Sequence, residues 1–380
     1  MESADIKFNP LKILILAMLI WSVPSIFAFE QSLGSLMSYL TYALLLLYFF
    51  IAPKRKIIIP FFVLGLLYFI ISGLINVDDS EFFIQEFVKY SLLTLCATEL
   101  ILNTNKKELY ILLIIGASSI IVQAVFFQSD FGRYSGFYFD PNNAGFVCLF
   151  GYCLSFSIPN KTLKSAGQFI LTLAGILTFS RTFLLLWVVV SIISIAANKK
   201  NFTNFGIGIG VIVLVLSLTS YLQLNTVRLK AIENLFNPDQ TSSALVIQQR
   251  EGTRTETWSR YYDTILNSPI IGNGFHELRG SGLSKQGVHN TYLMVLGESG
   301  IFPFLLIIGI YIYMLIKSLK YFKEEVHLFL LSLSLMAILM TIHTYFDNYV
   351  ILLISMWLFL NLTMLKSEDV IEQSESVLTS

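Results

Sequence analysis

Charge is what this sequence has least of. Aspartate, glutamate, lysine and arginine make up 13% of its 380 residues, about half the share usual in a soluble domain. The 25 basic and 25 acidic side chains cancel, so no overall field draws in nucleic acid. Cysteine is nearly absent. Cys96, Cys148 and Cys153 lie in apolar segments; they make neither a metal-ligand spacing nor a disulfide framework, and are read as packing residues. Several chemistries lack their motifs. There is no Asp-x-Asp pair, no His-Glu-x-x-His, no phosphate loop ending in Gly-Lys-Ser/Thr and no Gly-x-Ser-x-Gly elbow. These absences argue against a bound divalent metal working on a nucleotide sugar, and no cofactor is expected.

What is there is apolar length. Hydrophobic residues make up 55% of the chain, mean hydropathy is +0.70, and apolar runs of about 18 residues or more recur throughout, as membrane helices require. The reading is an all-α polytopic membrane protein with about twelve transmembrane helices. Nine spans fall in residues 1–222, a polar loop covers 223–289, three further spans occupy 290–366, and an acidic tail at 367–380 is expected to be disordered. The first apolar run ends in Ala28-Phe29, and its length favours an uncleaved anchor. Lysine clusters stand at every second junction, for example Lys106-Lys107, Lys161 with Lys164, and Lys199-Lys200. That alternation puts both termini in the cytoplasm. The opposite face then holds seven arginines and only Lys230 and Lys285. A planar guanidinium suits phosphate better than an ammonium does, so the outer face reads as anion-binding. The competing reading pairs these arginines with local acids such as Asp140, Glu256 and Asp263.

The stretch Arg250–Gly300 gathers most of the candidates. It carries Arg250, Arg254, Arg260 and Arg279, a glycine turn at Gly272-Asn273-Gly274, and His289-Asn290 where the apolar helix resumes. The glycine turn has no strand–helix context and makes a poor phosphate loop. A neutral His289 would take a proton from a hydroxyl; the alternative is a helix-start histidine bonded to a loop carbonyl. Glu298 falls inside a span and should face protein. Arg181 sits between two apolar helices with almost no loop, where charge is costly; the alternative is snorkelling to lipid headgroups. Arg133 precedes the turn Asp140-Pro141-Asn142, whose sequence suits a helix start. Glu86 and Lys89 lie three apart on one helix and are placed to pair.

These residues resemble the O-antigen polymerase and O-antigen ligase superfamily of bacterial envelope enzymes. The resemblance is carried by Arg133…Gly136…Asp140-Pro141-Asn142, Ser180-Arg181-Thr182, Arg254…Trp258…Ser268-Pro269…Gly272-Asn273-Gly274-Phe275, and His289-Asn290-Thr291-Tyr292-Leu293…Leu296…Glu298…Gly300. It implies a GT-C-type glycosyltransferase of the bacterial inner membrane, with its active site facing the periplasm. Donor and acceptor are undecaprenyl-diphosphate-linked glycans, other partners are membrane lipid and a chain-length regulator protein, and no nucleotide sugar is needed. It also implies that Arg181 and Arg254 hold the donor diphosphate and that His289 is the base. Arg133, Arg260, Arg250, Arg279 and Glu298 are carried over behind them as substrate-binding residues. The Asp-Pro-Asn turn favours a polymerase of repeat units over a ligase acting on lipid A–core. A transporter of the same lipid is the more distant alternative; it should show repeats or charges near the membrane midplane, and here the charges gather at one face.

Overall fold

A computed structural model describes residues 9–27, 30–52, 57–127, 133–217, 254–280 and 286–378. The chain is helical, with no strand among the described residues. In order, the helices are α1 (Pro10–Ile20), α2 (Val23–Ile26), α3 (Gln31–Ile51), α4 (Ile59–Ile75), α5 (Ser80–Leu102), α6 (Lys106–Phe126), α7 (Pro141–Ser155), α8 (Lys161–Leu177), α9 (Arg181–Ala197) and α10 (Phe202–Ser217). Then come α11 (Arg254–Ser259), α12 (Tyr262–Asn267), α13 (Thr291–Ser299), α14 (Ile301–Lys320), α15 (Val326–Leu339) and α16 (Tyr349–Leu378).

Among the described residues, three helices are long and apolar enough to cross a membrane: Ser32–Ile51, Lys106–Phe126 and Ile301–Lys320. Others are shorter. α4, α9 and α15 have 17, 17 and 14 residues, or about 21–26 Å at about 1.5 Å per residue, against a hydrocarbon core of about 30 Å. The bundle is apolar on the outside. Phe50, Ile51, Leu74, Phe126, Leu185, Ile192, Phe302 and Ile316 are exposed, while Ser72, Thr94, Ser155, Gln168 and Ser194 are buried. Water would reward the reverse arrangement, and lipid does not penalise this one.

Polar side chains start the helices where the sequence places them. Asn105 and Glu108 form a reciprocal capping box on α6. Asp79, Asn160 and Ser180 each accept a backbone N–H at the start of α5, α8 and α9. Glu86 and Lys89 pair at 3.3 Å.

Three boundaries differ from the sequence pattern. The first apolar run breaks at Ser22, which has φ +50°. The tenth breaks at Gly300, φ +78°, where a Cβ would lie 2.1 Å from the Ile270 carbonyl oxygen; only glycine fits there. The last helix runs on to Leu378 instead of ending near Lys366, because Lys366–Leu378 has no glycine or proline and is rich in helix formers.

Candidate functional site

The end of the bundle that carries the arginines is organised by how the segment after α12 docks. Phe275 enters an aromatic nest on α4 and α5, with ring centroids 5.9 Å from Phe69, 6.0 Å from Phe82 and 5.0 Å from Phe83. The Gly272-Asn273-Gly274 turn closes the C-terminus of α13. Asn273 N–H donates to the Gly297 carbonyl at 2.8 Å and Gly274 N–H to the Glu298 carbonyl at 3.1 Å. The Asn273 amide donates to the Thr264 and Gly297 carbonyls at 2.9 and 2.8 Å. The glycines are required because a Cβ on Gly272, at φ +83°, would stand 2.4 Å from the Glu298 carbonyl. This turn satisfies helix-end carbonyls.

Glu298 lies under the turn, fully buried. It accepts from the Tyr68 hydroxyl and, at 3.0 Å, from Leu278 N–H, so it faces protein and ties α13 to α4. Arg279 is beneath the surface as well, its side chain 4% exposed. Its Nη1 is 3.7 Å from Asp347, and its guanidinium lies 5.6 Å from the centre of the Phe275 ring. Arg260 is exposed and pairs with Glu256 at 3.7 Å, outside this cluster. Arg250 lies outside the described residues.

His289, Arg254 and Arg181 come together. Arg254 Nη1 donates to the His289 carbonyl at 3.3 Å and to the Thr341 carbonyl at 2.5 Å. It thereby clamps the segment before α13 to the turn before α16. Burial, and after it the Arg181 charge, draws the Arg254 guanidinium below its ordinary value, against the pull of Asp140. Arg181 opens α9, exposed, and makes no hydrogen bond or ion pair with any described residue. Its helix N-terminus adds further positive potential. Arg133 braces this corner: Nε donates to the Thr178 carbonyl at 3.1 Å, and Nη2 to Asn142 Oδ1 at 3.2 Å. Asp140 caps α7, accepting from Asn142 and Asn143 N–H at 2.8 and 2.9 Å.

His289 is held in a strained conformation, φ +47°, where a non-glycine residue costs about 1–3 kcal/mol. Helix capping is not its task, for Asn290 Oδ1 accepts the Leu293 N–H at 3.2 Å. The imidazole instead meets a second histidine: His289 Nδ1 and His343 Nδ1 are 3.1 Å apart, with the rings at 70°. Burial first, then Arg254, lowers the His289 pKa, with Asp140 opposing. Burial and the charges of His289 and Arg279 push His343 down to about 3. Both rings are therefore neutral near pH 7. A neutral pair shares one proton between the facing nitrogens. If His289 Nδ1–H donates to His343 Nδ1, His289 keeps a basic Nε2.

His343 and Asp140 are the participants that the sequence reading left out of the site. A signal for the first was present. His289 and His343 are two of only four histidines, and span counting puts both at the same end of the bundle.

Two comparisons with known proteins bear on this arrangement. The family model described as O-antigen ligase matches residues 166–308, which covers Arg181, Arg254, His289 and Glu298. No curated protein matches the chain.

Proposed function

We propose, from a match that supports the O-antigen polymerase and ligase superfamily and marks a glycosyltransferase-like membrane protein, that this chain polymerises undecaprenyl-diphosphate-linked repeat units. The observation that carries the reading is the meeting of Arg181, Arg254 and the His289–His343 pair at one end of an apolar bundle. In this reading all twelve apolar stretches lie in the inner membrane in a GT-C-type arrangement. Both termini are cytoplasmic, the site faces the periplasm, and a chain-length regulator is a further partner.

The chemistry follows from the placement of charge. The donor glycan is attached through C1 to a diphosphate, and the bond from C1 to the diphosphate oxygen breaks. Negative charge grows on that leaving group as it departs. Arg254, held by the His289 and Thr341 carbonyls, and the α9 N-terminus are fixed before the reaction begins, so they stabilise this charge without reorganising; Arg181 adds its charge from the exposed start of α9. The acceptor hydroxyl attacks C1 and gives its proton to His289 Nε2. His343 holds His289 in the tautomer that leaves Nε2 free, and Arg254 holds the His289 backbone. Arg254 thus has two duties, one toward the diphosphate and one toward the base. Arg133 shapes the same corner through Thr178 and Asn142.

A ligase would share the donor side and differ only in acceptor. The polymerase is preferred on the resemblance of the Asp140-Pro141-Asn142 turn to that branch of the superfamily. Deleting the gene from its source strain separates the two. The polymerase reading expects surface glycan reduced to a single repeat unit on core. Core with no unit, with long polymer accumulating on the lipid carrier, would assign the chain as a ligase.

A further inference from the structure

Next to this site lies a cavity of about 460 Å³, between α2, the start of α3, α5, α7 and the turn before α16. Its volume falls within the range of about 300–1,000 Å³ typical of small-molecule sites. It shares a wall with the catalytic corner: Asn143 follows the asparagine that Arg133 holds, Thr344 follows His343, and both line the cavity. On that wall Asn348 donates to Asn143 Oδ1 at 3.2 Å.

Two carboxylates on the lining are only half used. Glu86 is 5% exposed. One of its oxygens faces Lys89 at 3.3 Å, and the other, Oε2, is buried with no hydrogen-bond partner among the described residues. Asp347 repeats the pattern. Its Oδ2 stands 3.7 Å from Arg279, and its Oδ1 is buried without a hydrogen-bond partner among the described residues. A buried acceptor is costly when nothing donates to it, more so when it is charged. Each carboxylate already has a cation on one side, so what each lacks is a hydrogen-bond donor. Two tyrosines, Tyr138 and Tyr349, supply aromatic wall.

A diphosphate does not fit here, because it brings further anionic acceptors, and no donor, to two oxygens that lack donors. An apolar chain does not fit either, because it would leave both oxygens unpaired. A ring that carries hydroxyl donors and has an apolar C–H face meets both demands. Building on the glycan-transfer reading above, we infer that the cavity binds an uncharged sugar ring of the acceptor glycan, held by hydroxyl donation to Glu86 Oε2 and Asp347 Oδ1. The ring beside it, across the Asn143–Asn348 wall, then presents its hydroxyl to His289. The two subsites divide the substrate by charge, with the diphosphate on the arginines and the neutral acceptor sugar on the carboxylates.

The test is binding, measured without turnover. The probe is the lipid-free repeat-unit oligosaccharide released from the source strain's lipid carrier, titrated by saturation-transfer NMR into the purified full chain. Ser35 is exposed and lines the cavity, so Ser35→Trp fills the space without touching the buried carboxylates. Glu86→Gln keeps the shape and removes one acceptor. Both variants should bind at least tenfold more weakly than wild type, while Leu185→Ala, at an exposed apolar position on α9 outside the cavity lining, should bind normally. Equal affinity in all four proteins, or no binding to wild type, would overturn the subsite. Binding that depends on the cavity in a chain that makes no polymer would refute the polymerase reading and leave the subsite standing. Polymer formation with cavity-independent binding would do the reverse.

Discussion

His289→Gln, given purified lipid-linked repeat units, should form polymer about 10²- to 10⁴-fold more slowly than wild type, the usual contribution of a positioned general base. Glutamine hydrogen-bonds but takes up no proton near pH 7. The left-handed backbone at this position adds a control. Asparagine tolerates positive φ better than most residues, so His289→Asn relieves backbone strain while still lacking a base. A residue needed only for shape would be rescued by asparagine; a base would be rescued by neither variant. The pH profile supplies a separate readout. The His289 pKa is depressed in the folded protein, below the usual value of about 6.5. The ring is therefore neutral and active above its folded pKa, and activity is lost as pH falls through it. The acid limb of kcat/KM should lie below pH 6.5 and vanish in both variants. Near-normal turnover by the glutamine protein would leave the base unidentified. Glu298 would then be a poor successor, since it is fully buried and already bonded to Tyr68 and Leu278.

The arginine pair gives the second large effect. Lysine keeps the charge and loses the planar fork of donors. Arg181→Lys and Arg254→Lys should each lower activity about ten- to a thousandfold, equivalent to about 1.4 to 4 kcal/mol of transition-state stabilisation. The two should differ in kind. Arg181 bonds no described residue, so its replacement should leave the pH profile unchanged. Arg254 also holds the His289 carbonyl, so its replacement should weaken the donor site and shift the acid limb together. Full polymer from both lysine variants, with protein levels unaltered, would remove these residues from the donor site.

Most of the scaffold can be read from the sequence because its signals are local. A polar cap followed by an apolar run marks a helix start at Asn105, Asn160, Ser180 and Asn290, and each side chain does accept the expected N–H. Local signals fail where two distant segments decide the outcome. The break at Gly300 is set by the Ile270 carbonyl thirty residues earlier. The glycine turn at Gly272–Gly274 looks like a loose loop until α13 is placed against it. The site divides the same way. Arg181, Arg254 and His289 stand out as polar residues at apolar boundaries. Arg279 and Arg260 look equivalent to them in sequence, yet one is buried against Asp347 and the other is paired at the surface. His343 is one of four histidines and at the right end of the bundle, but its pairing shows only in its ring lying 4.5 Å from that of His289. Glu86 and Asp347 are 261 positions apart in the chain, and nothing in either neighbourhood announces a shared cavity.

In the proposed reaction, lipid-linked repeat units are both donor and acceptor, joined by protein side chains alone. The purified full chain in nanodiscs, supplied only with undecaprenyl-diphosphate-linked repeat units and a metal chelator, tests it directly. A ladder of lengthening glycan should form, with one free undecaprenyl diphosphate released for each new linkage. Units that stay unchanged until a nucleotide sugar, a divalent metal or lipid A–core is added would contradict it.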